Sequence, residues 1–243
     1  MLKEPARPTT RREHQGRGEM SILSQIMPSD AFTQIPAGIV DLESYRRWAT
    51  SDAYPERGRF AYFHGSIWVD LSMEQLFTHN QVKLAFYLTL GRLTEEAELG
   101  RFFPDGARVS HPEADLSAVP DAVFVSDTRI EQMRVRFVAG SQRGFVRIEG
   151  GPDMVLEVVS DSSVQKDTVR LRQLYHAAGV REYWLVDARE EPPTFDILRH
   201  TAKGFAATRK QGGWVRSAVF DRAFRLEQST DRLGRGRYTV EVR

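Results

Sequence analysis

The chain has 243 residues, 41% of them hydrophobic and 28% charged, with a formal net charge of +1. That is enough apolar material for one well-formed core, so one globular domain is expected, and so small a net charge does not announce a nucleic-acid binder by bulk electrostatics. Cysteine is absent, which excludes disulfides and thiolate metal sites and leaves carboxylate, carbonyl, imidazole or water for any metal, the donors preferred by hard cations such as Mg²⁺ or Mn²⁺.

No apolar run approaches the roughly 20 residues of a membrane-spanning helix. The Arg-rich start "MLKEPARPTTRREHQGRGEM" lacks the apolar centre of a signal peptide, so a cytoplasmic protein with no membrane partner is expected. Residues 1–30 mix Pro, Thr, Arg, Glu and Gly without periodicity and read as a disordered arm, with Met20 and Met27 as further candidate starts. Residues 31–243 then read as the single domain.

In chain order, "AGIVDLESYRRWATSD" predicts a helix with Asp41 as N-cap and Leu42, Tyr45 and Trp48 on one face. "RFAYFHGSIWVDLS" alternates around His64-Gly65 and predicts a β-hairpin. The longest helical pattern is "SMEQLFTHNQVKLAFYLTLGRLTEEAELG", with Leu76, Val82, Phe86, Leu90 and Leu93 near one face and Gly100 as its stop. Strands are predicted at "RFFPDGARVSH", "AVFVSD", "GFVRIEG" and "PDMVLEVVS". Next comes a helix, "DTVRLRQLYHAAG", with Val169, Leu171 and Leu174 apolar, Asp167 as N-cap and Gly179 as stop. It leads into a strand at "VREYWLVDA", with Glu182 at its edge. Strand, helix, strand describes a βαβ unit whose two strands are parallel neighbours. The tail ("TFDILRH", "GFAATRK", "WVRSAVF", "YTVEVR") reads as antiparallel strands between Gly-rich turns. The fold class expected is α+β with an α/β-like core: a mixed sheet flanked by helices and a β-rich C-terminal portion.

Glu157 is the one charge in a run formed by Val155, Leu156, Val158 and Val159. An unpaired carboxylate in such a buried strand costs several kcal/mol or takes up a proton, on the order expected for isolated buried charges. Asp121 follows Pro120 and opens another apolar strand. If the two strands are neighbours, both carboxylates converge at one end of a sheet, and a divalent cation between them neutralises both. Basic residues are 34 in all, but lysines are only five, Lys3, Lys83, Lys166, Lys203 and Lys210, and Lys166 follows Glu157 by nine residues. Two carboxylates, Mg²⁺ and a lysine are the minimum kit for phosphodiester hydrolysis. The plainer alternative makes Glu157 a salt-bridged strand residue, Asp121 a turn former and Lys166 a solvated residue before a helix. His79, with Glu74 five residues earlier, forms a second candidate group suited to a phosphate or metal, or simply to hydrogen bonding on a helix surface. Tyr175, Tyr183 and Trp184 are expected in the core or an interface. "RRW" at residues 46–48 and "RGR" at 235–237 are candidate phosphate contacts or plain solvated faces.

"PDAVFVSD", "PDMVLEVVSDSSVQKD" and "RQLYHAAGVREYWLVDA", with "FAYFHGSIWVDLSMEQLFTHN" upstream, together resemble the Uma family of putative restriction endonucleases, a branch of the PD-(D/E)xK nuclease superfamily. The resemblance spans about residues 40–225. It implies a restriction-endonuclease-like sheet core, a Mg²⁺ (or Mn²⁺) ion and DNA as substrate, with Asp121 and Glu157 matching the two metal carboxylates. The superfamily's lysine position two after Glu157 is Val159. The family's helix position four before Tyr175 is Leu171, and Lys166, Arg170 or Arg172 could stand in for the basic residue. Lys166 is favoured because lysine sheds charge near a metal and arginine does not. The expected catalytic set is therefore Asp121, Glu157 and Lys166, with His79 and Glu74 in support.

The rival expectation is a nuclease-fold module that has lost catalysis and binds DNA or a protein. A carboxylate-pair glycosidase, with carboxyls about 5 to 9.5 Å apart, is a third. By analogy with cutting two strands, a homodimer is also expected.

Overall fold

The computed structural model describes residues 35–140 and 144–243. The arm expected over residues 1–30 lies outside the described residues.

Helix α1 (Leu42–Ala49) begins where Asp41 accepts a hydrogen bond from the Ser44 amide at 2.7 Å, while Ser44 Oγ accepts from the Asp41 amide at 3.0 Å. That reciprocal cap satisfies two otherwise orphaned donors. Strands β1 (Arg59–Phe63) and β2 (Ser66–Asp70) form the expected hairpin; its turn residues His64 and Gly65 both have positive φ, 50° and 73°, the geometry of a turn whose twist matches the strands. A π turn (Leu76–Asn80) leads into α2 (Gln81–Glu96). Then come β3 (Gly100–Phe103), β4 (Val109–His111), β5 (Leu116–Ala118), β6 (Ala122–Ser126), α3 (Asp127–Glu131), β7 (Val135–Ala139), β8 (Phe145–Gly150) and β9 (Met154–Val158). A second π turn (Lys166–Arg170) precedes α4 (Leu171–Ala177). The chain ends with β10 (Glu182–Asp187), β11 (Thr194–Thr201), β12 (Gly204–Ala207), β13 (Lys210–Gln211), β14 (Trp214–Ser217), β15 (Arg222–Thr230) and β16 (Gly236–Val242).

The strands form three sheets among the described residues. The first runs β2-β1-β5-β4-β8-β7, the second β12-β11-β10-β9-β6-β3 and the third β13-β14-β15-β16. In the second sheet β9 pairs β10 in parallel, closing the expected βαβ unit, and pairs β6 antiparallel with Leu156 opposite Ala122. Side chains alternate faces along a strand. On one face Val123, Val155 and Tyr183 pack with Leu171 and Tyr175 of α4 and with Phe63 and Leu116 of the first sheet. On the other, Phe124, Leu156 and Trp184 pack with Phe86 and Leu90 of α2 and Phe224 of the third sheet. Each such large apolar side chain, fully buried, contributes about 1.5–3 kcal/mol. The alternation that sends Val123 and Val155 to the α4 side sends Asp121 and Glu157 there too.

Both helices differ from their expected form at the start. The chain stays non-helical through Gln75, and the π turn, closed by the Asn80 amide on the Gln75 carbonyl at 2.9 Å, inserts one extra residue into the helical phase. Leu76 is thereby turned out to solvent at 67% exposure, and His79 is turned inward at 2%. Helix α2 ends at Glu96 with Ala97 as its C-cap, and the chain turns away at Glu98, whose φ is 50°, with the Leu99 amide on the Thr94 carbonyl at 3.1 Å; Gly100 opens β3 and does not stop the helix. The second π turn likewise places Asp167 in the interior and not at an N-cap, and leaves Val169 exposed. "RFFPDGARVSH" splits at its Pro-Asp-Gly turn into β3 and β4, which belong to different sheets, and β11 and β12 extend the second sheet.

Gly151 fixes the approach of β9 to α4, because a Cβ there would run into the Ala178 carbonyl oxygen and Gly179. Gly151→Ala is expected to lower stability by about 1–3 kcal/mol, the usual cost of overpacking. A thermal melt reads this as a lower Tm, and an unchanged Tm would show that the contact yields freely.

Candidate active site

Asp121 enters from the turn before β6, Glu157 from the end of β9 and Lys166 from the first residue of the second π turn. With Arg59, Asp70, His79, Ser163 and Asp167 they line one narrow cleft of about 10 Å³, room for a single water-sized occupant. Asp121 Oδ2 accepts a hydrogen bond from the Val158 amide at 2.7 Å, so the residue after Glu157 ties the two carboxylates to one strand end.

Glu157 is 2% exposed and its surroundings compensate it only in part. Oε1 accepts from the Tyr175 hydroxyl at 2.9 Å, and Oε2 lies 3.8 Å from Lys166 Nζ. Burial drives its carboxyl well above the ordinary range; Lys166 opposes this, and Asp167 and Asp121 add to it. Glu182, the buried glutamate of the neighbouring β10, differs sharply. It accepts from Trp184 Nε1 at 2.9 Å, Ser217 Oγ at 2.6 Å, and the Ala218 and Val219 amides at 2.6 and 3.2 Å. That full complement is what a structural buried carboxylate requires.

Lys166 is not a solvated residue. Its Nζ lies 2.8 Å from Asp167 Oδ1 and 4.8 Å from the centre of the Trp68 ring. Burial alone would lower its pKa, but Glu157 and Asp167 hold it above the usual lysine value. Asp167, 1% exposed, is raised in turn by burial against the pull of Lys166. The other basic candidates point elsewhere. Arg170 lies over the Phe63 ring at 5.9 Å, and Arg172 donates to the Phe205 carbonyl at 2.9 Å. Leu171 is fully buried in the core beside Tyr175.

The second candidate group meets the first. His79 Nε2 lies 3.6 Å from Asp121 Oδ2, and Nδ1 lies 2.8 Å from Glu74 Oε1, without the alignment a hydrogen bond needs; Nδ1 is therefore a buried polar atom with no hydrogen-bond partner. Glu74, His79 and Asp121 each offer one ligand atom within 4.8 Å of the others. Glu74 already has cations of its own. It pairs with Lys83 Nζ and, at 2.5 Å, with Arg59. Burial works to raise its carboxyl, yet the hydrogen bonds from Lys83, Asn80 and Arg59 outweigh that and bring it down to about 2.

Lys83, Asp167, Arg59 and Tyr175 reach this site although none was among the expected catalytic residues. One signal pointed to Lys83: it is one of five lysines and stands one helical turn after His79. One arginine of each Arg cluster is tied into the fold. Arg46 of "RRW" turns inward to Ser110 at 2.9 Å and Glu149 at 3.1 Å, and Arg235 of "RGR" pairs with Asp231 at 2.8 Å.

The family model described as "Putative restriction endonuclease" (Uma2) matches residues 42–227. This chain belongs to the Uma2 family. A solved structure, that of a putative nuclease belonging to DUF820 from Anabaena variabilis ATCC 29413, is similar with a TM-score of 0.55 and 17% identity, covering 75% of this chain and 91% of that one. At that identity the likeness shows a shared fold. No curated protein matches. No helix among the described residues is long and apolar enough to cross a membrane.

A divalent cation is what Uma2 membership implies, and the donor set here fits one. The cleft is lined by four carboxylates, Asp70, Asp121, Glu157 and Asp167, against two cations, Arg59 and Lys166, a formal excess of two negative charges when all four are ionised, and without an ion burial pushes the Glu157 and Asp167 carboxyls towards the protonated form. The donors are oxygen and imidazole, the set hard cations take, and the partly compensated Glu157 carboxyl and the His79 ring both line the cleft.

Proposed function

We propose that this chain is a divalent-cation-dependent endonuclease that hydrolyses DNA phosphodiester bonds, with Asp121 and Glu157 as the carboxylates that hold Mg²⁺ (or Mn²⁺). The observation that carries this reading is that Asp121, Glu157 and Lys166, drawn from three separate segments, line one cleft in which carboxylates outnumber cations four to two. When bound, the ion lowers the pKa of water and offsets charge on the phosphate. Asp121 is held at the strand end by the Val158 amide, and Tyr175 orients Glu157 through its Oε1. Lys166, steadied by Asp167, sets a cation beside Glu157 where a phosphate oxygen or the attacking water can be met. His79 and Glu74 support Asp121 from the α2 side. Lys166 takes the part that Leu171 leaves vacant. A two-fold dimer would present two such clefts to the two strands of a duplex; a monomer by light scattering at micromolar concentration counts against it.

The buried Leu171 favours one rival, a module of the same fold that binds DNA or a protein without cutting. Calorimetric titration of Mn²⁺ into the wild type and Asp121→Ala, with plasmid nicking assayed in the same buffers, separates the two. Expected are Mn²⁺ binding and nicking in the wild type and a loss of nicking of about 10³-fold or more in the variant, equivalent to several kcal/mol at 1.36 kcal/mol per decade. A wild type that binds DNA with no nicking and no Mn²⁺ uptake would establish the binding module instead.

A further inference from the structure

Lys83 is the one lysine in this structure enclosed by three carboxylates among the described residues. Its Nζ pairs with Glu74 Oε1, lies 2.7 Å from Asp105 Oδ2 and 3.6 Å from Asp121 Oδ1, and the residue is 3% exposed. Three carboxylate oxygens around one ammonium group match its charge with an excess of negative partners. A cation so enclosed is not a surface ion pair, and it reaches into a site that already has Lys166 as its basic group.

Asp121 reaches both sides. Oδ2 takes the Val158 amide of the Glu157 strand and lies 3.6 Å from His79 Nε2, and Oδ1 lies 3.6 Å from Lys83. On the α2 side of Asp121, Glu74, His79 and Asp121 bring three ligand atoms within 4.8 Å of one another, and His79 Nδ1, on a residue 2% exposed, has no hydrogen-bond partner. Two carboxylates and an imidazole form an adequate cation set. Lys83 Nζ sits on two of the three members, Glu74 and Asp121.

We propose that Lys83 is a tethered cation filling the second ion position of this site, on the Glu74–His79 side of Asp121, so that the chain takes one divalent ion, on the Glu157 side. A second divalent ion at Glu74 and Asp121 would have to displace the ammonium or sit against like charge. The lysine is bound covalently to the chain, so the position is filled at any ion concentration. A site that needs one dissociable ion in place of two loads in proportion to the first power of the ion concentration. The inference rests on the reading of Asp121 and Glu157 as ion ligands, and the test keeps the two apart.

The experiment counts Mn²⁺ bound per full-length chain, by calorimetry and by the loss of the free-ion electron paramagnetic resonance signal. Expected are one Mn²⁺ in the wild type, lost in Glu157→Ala, and two in Lys83→Met, the second lost again when Glu74→Gln is added. If removing the buried lysine alone prevents folding, Lys83→Met combined with Asp105→Asn withdraws one negative charge with it and leaves Glu74, His79 and Asp121 intact; two ions are expected there as well. Two ions in the wild type, or one in the folded lysine variants, overturns the proposal. Absence of Mn²⁺ from every protein overturns both the proposal and the nuclease reading. Binding confined to the lysine variants, abolished by Glu74→Gln and indifferent to Glu157→Ala, would sink the Glu157 side of the nuclease reading and retain the assigned role of Lys83.

Discussion

Glu157→Gln yields a protein that is more stable than the wild type in chelator at neutral pH and inert towards plasmid DNA. The stability gain follows from burial. Glu157 has one hydrogen bond and a lysine at 3.8 Å, and its carboxyl is held well above its ordinary value of 4.5. The folded chain therefore binds this proton more tightly than the unfolded chain does. Below the ordinary carboxyl range both states carry the proton and the group is neutral in the balance. As pH rises from there through the raised folded value, the unfolded state releases its proton first and stability falls. Glutamine cannot titrate and still accepts the Tyr175 hydroxyl, so the gain at neutral pH is on the order of 1–3 kcal/mol, the usual penalty for an imperfectly compensated buried group. Nicking falls by about 10³-fold because one of two charged ligand carboxylates is gone. Melts of both proteins from about pH 4 to about pH 8, across the range where carboxyls titrate, decide the first half. Parallel Tm curves would mean that Glu157 is already ionised and compensated in the absence of an ion.

Lys166→Met is expected to bind Mn²⁺ and to lose about 10² to 10³-fold in nicking, the size of effect seen when one preorganised charge is removed from a transition state. Lys166→Arg is expected to recover only part of this, since the larger planar guanidinium cannot repeat the compact ammonium contact. Asp167 is 1% exposed and paired to Lys166 at 2.8 Å, so the single variant leaves a buried carboxylate alone; adding Asp167→Asn removes that liability. Full nicking by the folded double variant would eliminate Lys166 as the working charge. It would also leave no flanking arginine in its place, since Arg170 stacks on Phe63 and Arg172 is held by the Phe205 carbonyl.

These two variants test residues that stood out in the sequence for different reasons. Glu157 stood out because strand β9 is apolar on both faces, which is the mark of a strand inside a sheet, and a charge there needs a partner. Asp121 stood out because Pro120 sets the chain extended before an apolar strand. Lys166 stood out chiefly because lysine is rare in this chain. None of these signals could separate Glu157 from Glu182. Both interrupt or border a buried strand, and only the neighbours differ: four donors converge on Glu182, whereas Glu157 has Tyr175 and a lysine beyond hydrogen-bond reach.

The amino-acid sequence by itself determined the local elements: the Asp41 cap, the His64-Gly65 hairpin, the amphipathic run of α2 and the β9-α4-β10 unit. It also determined the family, because these depend on neighbours in the chain and on a short ordered set of motifs. Only the tertiary structure decided that β6 and β9 are antiparallel partners, which brings Asp121 to Val158. Only it revealed the two π turns, whose single extra residue swings His79 inward and carries Lys166 and Asp167 to Glu157. Periodicity of 3.6 cannot register a one-residue slip, and no local pattern encodes which distant carboxylates will surround a lysine. Lys83 was visible as a rare residue on a helix, but its three carboxylates come from the segment before α2, the turn after β3 and the entry to β6, and only the folded chain brings them together around it.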